Sequence, residues 1–213
     1  MKVSLYKAGY CTHPEYIITG KFSFRIKEFP MICGLIQHPR FGYILFDVGY
    51  NKCFAECTRK FPYSLYKAIT PVYISKTLKE LLVENSIQAN EINYIIISHF
   101  HADHICAIND FPNATIICSH QGYEYSNDRT FKLHKGILPE LIVQFSNRKM
   151  LFFEDMLQLY TEEEEYLGNG YDIFGDQSIV AYSLPGHAVG HYGILCNKSR
   201  NGRIFLLAMQ YGP

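Results

Sequence analysis

Residues 94–104 read Tyr94-Ile95-Ile96-Ile97-Ser98-His99-Phe100-His101-Ala102-Asp103-His104. The first four are aromatic or β-branched and apolar throughout, the composition of a short strand buried on both faces. His99 and His101 are two apart, so in an extended segment leaving that strand their rings point the same way. Two imidazoles on one side of a rigid strand end make half a zinc site, because zinc takes neutral histidine nitrogen in tetrahedral geometry. Asp103 and His104 follow where the chain turns into a helix. They offer an oxygen and a further nitrogen displaced from the first pair, so the four groups suit two neighbouring metals better than one.

Working outward, Leu184-Pro185-Gly186-His187-Ala188-Val189-Gly190-His191 ends a strand at Pro-Gly and delivers His187 at its tip. The flanking glycines let backbone pass close to a crowded centre. Thr115–Cys118 reads as a second buried strand. Val3–Lys7 alternates as an edge strand, and Ile32–Gln37 and Tyr43–Val48 flank a hairpin loop at His38–Gly42. Ser75–Glu84 carries Leu78, Leu81 and Leu82 at helical spacing, with Pro71 placed to start the helix. Ile179–Leu184, Tyr192–Cys196 and Ile204–Ala208 read as strands, the last two joined by a turn at Asn201-Gly202. No element is assigned between Gly122 and Phe145. Glu162–Glu165 reads as a solvated face, since adjacent carboxylates repel unless neutralised. His13, His38, His120 and His134 stand alone and read as satisfied polar residues.

The 213 residues carry 20 Lys and Arg against 20 Asp and Glu, with 48% apolar residues. One domain with a sizeable core is expected, and the zero net charge argues against a broad nucleic-acid surface. Met1–Lys7 lacks the apolar stretch of a signal peptide, and no window approaches the ~18 apolar residues that span a membrane. The cysteines (Cys11, Cys33, Cys53, Cys57, Cys106, Cys118, Cys196) show no zinc-ribbon pairing, and Cys53-x-x-x-Cys57 stands isolated. An odd count without a framework suits a reducing compartment, so a cytoplasmic protein without nucleic-acid or membrane partners is expected.

His-x-His-x-Asp-His after an apolar strand, with Pro-Gly-His-x-x-Gly-His downstream, resembles the metallo-β-lactamase superfamily, which includes glyoxalase II and N-acyl homoserine lactonases. Leu45-Phe46-Asp47-Val48-Gly49 is similar to that family's Leu-x-Asp-x-Gly element, and Phe205-Leu206-Leu207-Ala208 to the strand before its bridging aspartate. The resemblance runs from about Tyr43 to the chain end and implies a mixed α/β fold, an αββα sandwich with the metals between two sheets. It implies a first metal on His99, His101 and His187, and a second on Asp103 and His104. Asp47 would support the ligands from behind, and His191 would orient its own loop.

The implied activity is hydrolysis of an ester, lactone, thioester or amide in a small-molecule substrate, with a preference for the lactonase-like branch. A zinc ion lowers the pKa of its water from about 15.7 to near 7, giving a hydroxide at neutral pH. Asp103 is the candidate for carrying the proton to the leaving group. Iron or manganese is an alternative metal. An iron-dependent oxidoreductase and a member with little or no turnover are the alternative functions.

The resemblance breaks after Ala208. The family's bridging aspartate and later histidine are expected there, and the chain reads Met209-Gln210-Tyr211-Gly212-Pro213. Moving the reading frame by one base turns these codons into Asp-Ala-Val-Trp or close variants, so a one-base frameshift with a truncated second half is the expectation. It carries two consequences: one metal bound firmly and the other weakly, and an exposed edge of the second sheet that invites self-association.

Overall fold

The computed structural model describes residues 1–15, 23, 25–128, 133–160 and 167–208. Glu162–Glu165, residues 209–213 and the His134 side chain lie outside the described residues, and with them the expectations that rest on them.

The first sheet contains β1 (Lys2–Pro14), β2 (Ile26–His38), β3 (Gly42–Phe46), β4 (Val72–Tyr73), β5 (Ile92–Ile96), β6 (Thr115–Cys118) and β7 (Met150–Phe152). Their spatial order is β4-β1-β2-β3-β5-β6-β7. β1, β2 and β3 form an antiparallel meander, while β3, β5, β6 and β7 run parallel. The second sheet is antiparallel, with β8 (Leu157–Leu159), β9 (Gly170–Asp172), β10 (Ile179–Ser183), β11 (Tyr192–Ser199) and β12 (Gly202–Leu206) in the order β12-β11-β10-β9-β8. β12 is thus an edge strand among the described residues.

Strand alternation divides the core. Ile36, Ile44, Phe46, Ile96 and Ile117 face Ile179, Ala181, Ile194 and Cys196 across the space between the sheets. Leu35, Leu45, Ile95, Ile97, Ile116 and Cys118 point the other way, into a layer shared with Leu78, Leu82, Ile105 and Leu141. A sheet covered on both faces explains why its parallel strands carry apolar runs such as Tyr94–Ile97 and Ile116–Cys118 rather than alternating.

The α-helices between residues 25 and 208, among the described residues, are α1 (Cys53–Cys57), α2 (Tyr63–Ile69), α3 (Leu78–Glu84), α4 (Ala102–Ile105), α5 (His120–Asn127) and α6 (Pro139–Ile142). The α3 helix starts later than the periodicity predicts. Thr77 caps it by accepting from Glu80 N, and Glu80 returns a carboxylate to Thr77 N, the reciprocal box that satisfies two orphan amides. Pro71 instead precedes the two-residue strand β4. β1 is longer than Val3–Lys7, because β2 pairs with it from Lys2 to Pro14 and β4 adds pairing only at Tyr10 and Cys11. The predicted hairpin turn after β11 is present, with Ser199 paired to Gly202.

Candidate metal centre

β5 ends at Ile96, and Ile97 continues its ladder by donating to Ile117 O at 2.8 Å. Ser98 and His99 therefore leave a fixed strand end and are fully buried. His101 is extended (φ −72°, ψ 154°) and stands as the N-cap of α4, so Asp103 and His104 occupy that helix's first turn. Across from them, Leu184 N donates to His191 O at 2.8 Å and Tyr192 N donates to Ser98 O at 2.9 Å. Those two bonds pin the 184–191 loop of the second sheet against the β5 strand end. Gly190 (φ +65°) makes the close approach possible: a Cβ there would sit 2.5 Å from Gly122 N.

The convergence is tight. His99 Nε2 lies 3.0 Å from His101 Nδ1 and 3.1 Å from His187 Nε2, and the three ligating atoms lie within 4.8 Å of one another. One Nε2 carries at most one hydrogen, so His99 cannot donate to both neighbours. A cation between the rings is what such a set of facing nitrogens fits. Two of these rings are also held from elsewhere. His99 Nδ1 lies 3.0 Å from Ser98 Oγ, and the Lys135 backbone hydrogen-bonds the His101 ring. Imidazoles held at one nitrogen present the other to a metal in a fixed direction. Burial is the first cause that pushes His99 well below the ordinary histidine range and takes His101 and His187 to about 4, so all three are neutral at pH 7, the form that ligates.

The second pair has the opposite electrostatics. His104 Nδ1 lies 2.8 Å from Asp47 Oδ2, and His104 Nε2 lies 3.1 Å from Asp103 Oδ2. Burial alone would lower His104, but the Asp103 and Asp47 carboxylates override it and hold the ring at about 10. Burial would likewise raise Asp103, yet His104 draws it down to about 2. Two buried carboxylates around one ring demand positive charge there, which a proton or a metal ion can supply.

Asp47 sits in the turn after β3 with φ +58°, and its backbone is stitched to the site: Asp47 N donates to Ile96 O and Val48 N donates to His104 O. Its carboxylate accepts from Ser98 N at 2.9 Å and from Ser98 Oγ at 2.8 Å. His191 is buried, its ring centroid 4.9 Å from that of His99. The structure thus gathers His99, His101, Asp103, His104, His187, Asp47 and His191 into one place. It adds Ser98, whose hydroxyl bridges Asp47 and His99 and which no motif letter marks. His38 is the last residue of β2, its Nε2 3.0 Å from Ser178 Oγ and its Nδ1 accepting from Arg40 N and Phe41 N in the turn that follows. His120 is exposed, 4.0 Å from Glu124. His13 is partly buried on β1 and feels the charge of Asp103. A cleft of about 420 Å³ opens beside the histidines, lined by Phe100, His101, Tyr125, Ile137, His187 and Val189.

The profile of the metallo-beta-lactamase superfamily matches residues 33–196, a span that holds Asp47, Ser98, His99, His101, Asp103, His104, His187 and His191. The chain belongs to the metallo-β-lactamase superfamily. Among curated members, it is 31% identical over 122 residues to the N-acyl homoserine lactonase AttM of Azorhizobium caulinodans, an alignment covering 54% of this chain and 40% of the lactonase. The chain thus spans less than half the length of that lactonase. It is 25% identical over 171 residues to the gamma-lactamase MBL2 of Gibberella moniliformis, covering 77% of this chain and 67% of that one. Among solved structures, an N-acyl homoserine lactone hydrolase with the product N-hexanoyl-L-homoserine at its catalytic metal centre superposes with a TM-score of 0.73. That match covers 96% of this chain and 73% of the other at 19% identity, which establishes the shared metallo-β-lactamase fold.

Proposed function

We propose that this superfamily member is a zinc-dependent hydrolase that opens a cyclic ester in a small-molecule substrate. One observation carries the reading: His99, His101 and His187 converge beside a charged His104–Asp103 pair, at the wall of a cleft of about 420 Å³. In this proposal His99, His101 and His187 hold the first ion, while Asp103 and His104 contribute to a second. Bound there, zinc supplies Lewis acidity and an activated water at neutral pH.

The chain's own residues do the rest. Asp47 and Ser98 fix the rings of His104 and His99, so the ligating nitrogens need no rearrangement when substrate arrives. Asp103, ionised and buried, is the acceptor for the proton released by the attacking water, and it returns that proton to the leaving alcohol. Phe100 and Ile137 give the cleft apolar wall for an acyl chain. The lactonase and lactam-hydrolase names among the relatives support a cyclic ester or amide over other carbonyl substrates.

The test is hydrolysis of a panel of N-acyl homoserine lactones, γ-lactams and aryl esters by zinc-loaded and chelator-stripped protein. Lactone opening that is lost on stripping and restored by zinc is the expected result. Turnover only of linear esters, or turnover indifferent to stripping, overturns the reading. Oxygen consumption with bound iron and no hydrolysis would favour the oxidoreductase alternative instead.

A further inference from the structure

Outside the histidine centre, a second group of reactive side chains comes together at α1. Cys53 and Cys57 are one helical turn apart, and their sulfurs lie 3.5 Å from each other. Four residues of helix rise about 6 Å, which is within the Cα separation a disulfide accepts. Gln144 Nε2, reaching from the turn after α6, donates to Cys53 Sγ at 3.1 Å. Cys106, at the end of α4, also hydrogen-bonds Cys53. Its own sulfur lies 3.5 Å from Asn51 Oδ1, and that oxygen accepts from Cys53 N at 2.9 Å. Cys53 is partly exposed and Cys57 is buried.

We propose that Cys53 and Cys57 are a peroxide-reactive thiol pair, Cys53 meeting the oxidant and Cys57 closing a disulfide with it. The Gln144 amide donating to Cys53 Sγ, with the Cys57 sulfur 3.5 Å away, favours a thiolate on Cys53, which is pulled down to about 6 by hydrogen bonding, that of Cys106 first. Cys57 is pushed the other way by burial and stays protonated. The pair therefore holds one nucleophile and one reserve thiol, the division of labour that sulfenic-acid chemistry uses.

The steps balance with a hydroperoxide as oxidant. The Cys53 thiolate attacks the terminal oxygen of the hydroperoxide, the O–O bond breaks, and the departing oxygen takes a proton and leaves as water or an alcohol. Cys53 is now a sulfenic acid, oxidised by two electrons. Cys57 sulfur attacks Cys53 sulfur, the S–O bond breaks, and the hydroxide leaves as water with the Cys57 proton.

The test uses the full chain with one equivalent of hydrogen peroxide, followed by alkylation, trypsin digestion and mass spectrometry without reduction. Cleavage after Lys52 and Arg59 leaves both cysteines on one peptide, so the expected product is that peptide two hydrogens lighter, the other cysteines remaining alkylated. In the untreated chain at pH 7, Cys53 should be alkylated about two- to threefold faster than a small-molecule thiol of ordinary pKa, the larger thiolate fraction outweighing its lower nucleophilicity. The C57S variant should accumulate a Cys53 sulfenic acid that dimedone captures. A disulfide joining Cys53 to the Cys106 peptide, or alkylation of Cys53 no faster than the reference thiol, overturns the proposal. The alkylation rate needs no variant, so it decides the matter even where C57S misfolds.

Discussion

Asp47 Oδ2 lies 2.8 Å from His104 Nδ1 and 2.8 Å from the Ser98 hydroxyl, so one carboxylate links the turn after β3, the end of β5 and the helix α4. Each side of the link is buried: Asp47 is 1% exposed and Ser98 fully covered. The Asp47→Ala change leaves the Ser98 amide without its acceptor at a cost of about 1–3 kcal/mol, and it also places alanine at φ +58°. A drop of several degrees in Tm is expected. Asp47→Asn tolerates that φ and keeps an acceptor, but it removes the charge facing His104. Its expected signature is near-normal Tm with zinc affinity reduced about 10- to 100-fold, measured against a chromogenic chelator.

The two halves of the centre offer unequal donor sets to metal. Three nitrogens from His99, His101 and His187 meet at one point, whereas Asp103 and His104 bring two donors to the other among the described residues. Zinc titration of this polypeptide should show one tight equivalent followed by a much weaker one. His187→Ala should weaken the tight equivalent by at least about tenfold, while the exposed His120→Ala leaves it unchanged. Two equally tight equivalents would count against the assignment.

Much of this was legible in sequence because it is local. Tyr94–Ile97 and Thr115–Cys118 announce buried strands by composition, and His99, His101, Asp103 and His104 follow the first of them within a few residues. What local pattern cannot carry is contact between distant segments. Ser98 bridges Asp47 and His99 through a hydroxyl that looks like any strand-end serine. Cys106 reaches Cys53 only because α4 packs against the turn after β3. The short strands β8 and β9 escaped because three residues hold too little periodicity, and the pairing of β9 with β10 supplies what their own sequence lacks.

The histidine set predicts how stability of the metal-free protein depends on pH. His101 and His187 sit at about 4 in the folded chain, against about 6.5 when unfolded. Between those values the unfolded state binds more protons, so stability must fall as pH drops from 6.5 towards 4. His104 acts in the other direction. Its folded value of about 10 gives stability that is complete below 6.5 and lost as pH rises towards 10. Urea unfolding of the stripped protein should therefore show a maximum near neutrality, with a lower midpoint at pH 5 and at pH 9.5. Zinc should raise the midpoint at pH 7 and still raise it at pH 5, because the folded histidines, at about 4, stay neutral there while the unfolded ones are protonated and do not compete for the ion.

Gly190 tests whether backbone placement, and not ligand identity alone, sets the metal affinity. It holds φ +65°, and a Cβ there would press on the backbone of Gly122 at 2.5 Å and on Ser119 Oγ at 2.6 Å. Neither neighbour can yield easily, since Ser119 caps α5 by accepting from Gly122 N. Gly190→Ala should therefore push the 184–191 loop off β5 and carry His187 away from His99. Gly175 offers the matched control: it has φ +73° with nothing within 4 Å of the added Cβ. Gly175→Ala should cost only the backbone strain, about 1–2 kcal/mol, with zinc affinity intact. Gly190→Ala should lose both stability and at least about tenfold in zinc affinity, although all three histidines remain in the chain. Equal zinc affinity in the two variants would mean that His187 reaches its partners without help from the Gly190 contact.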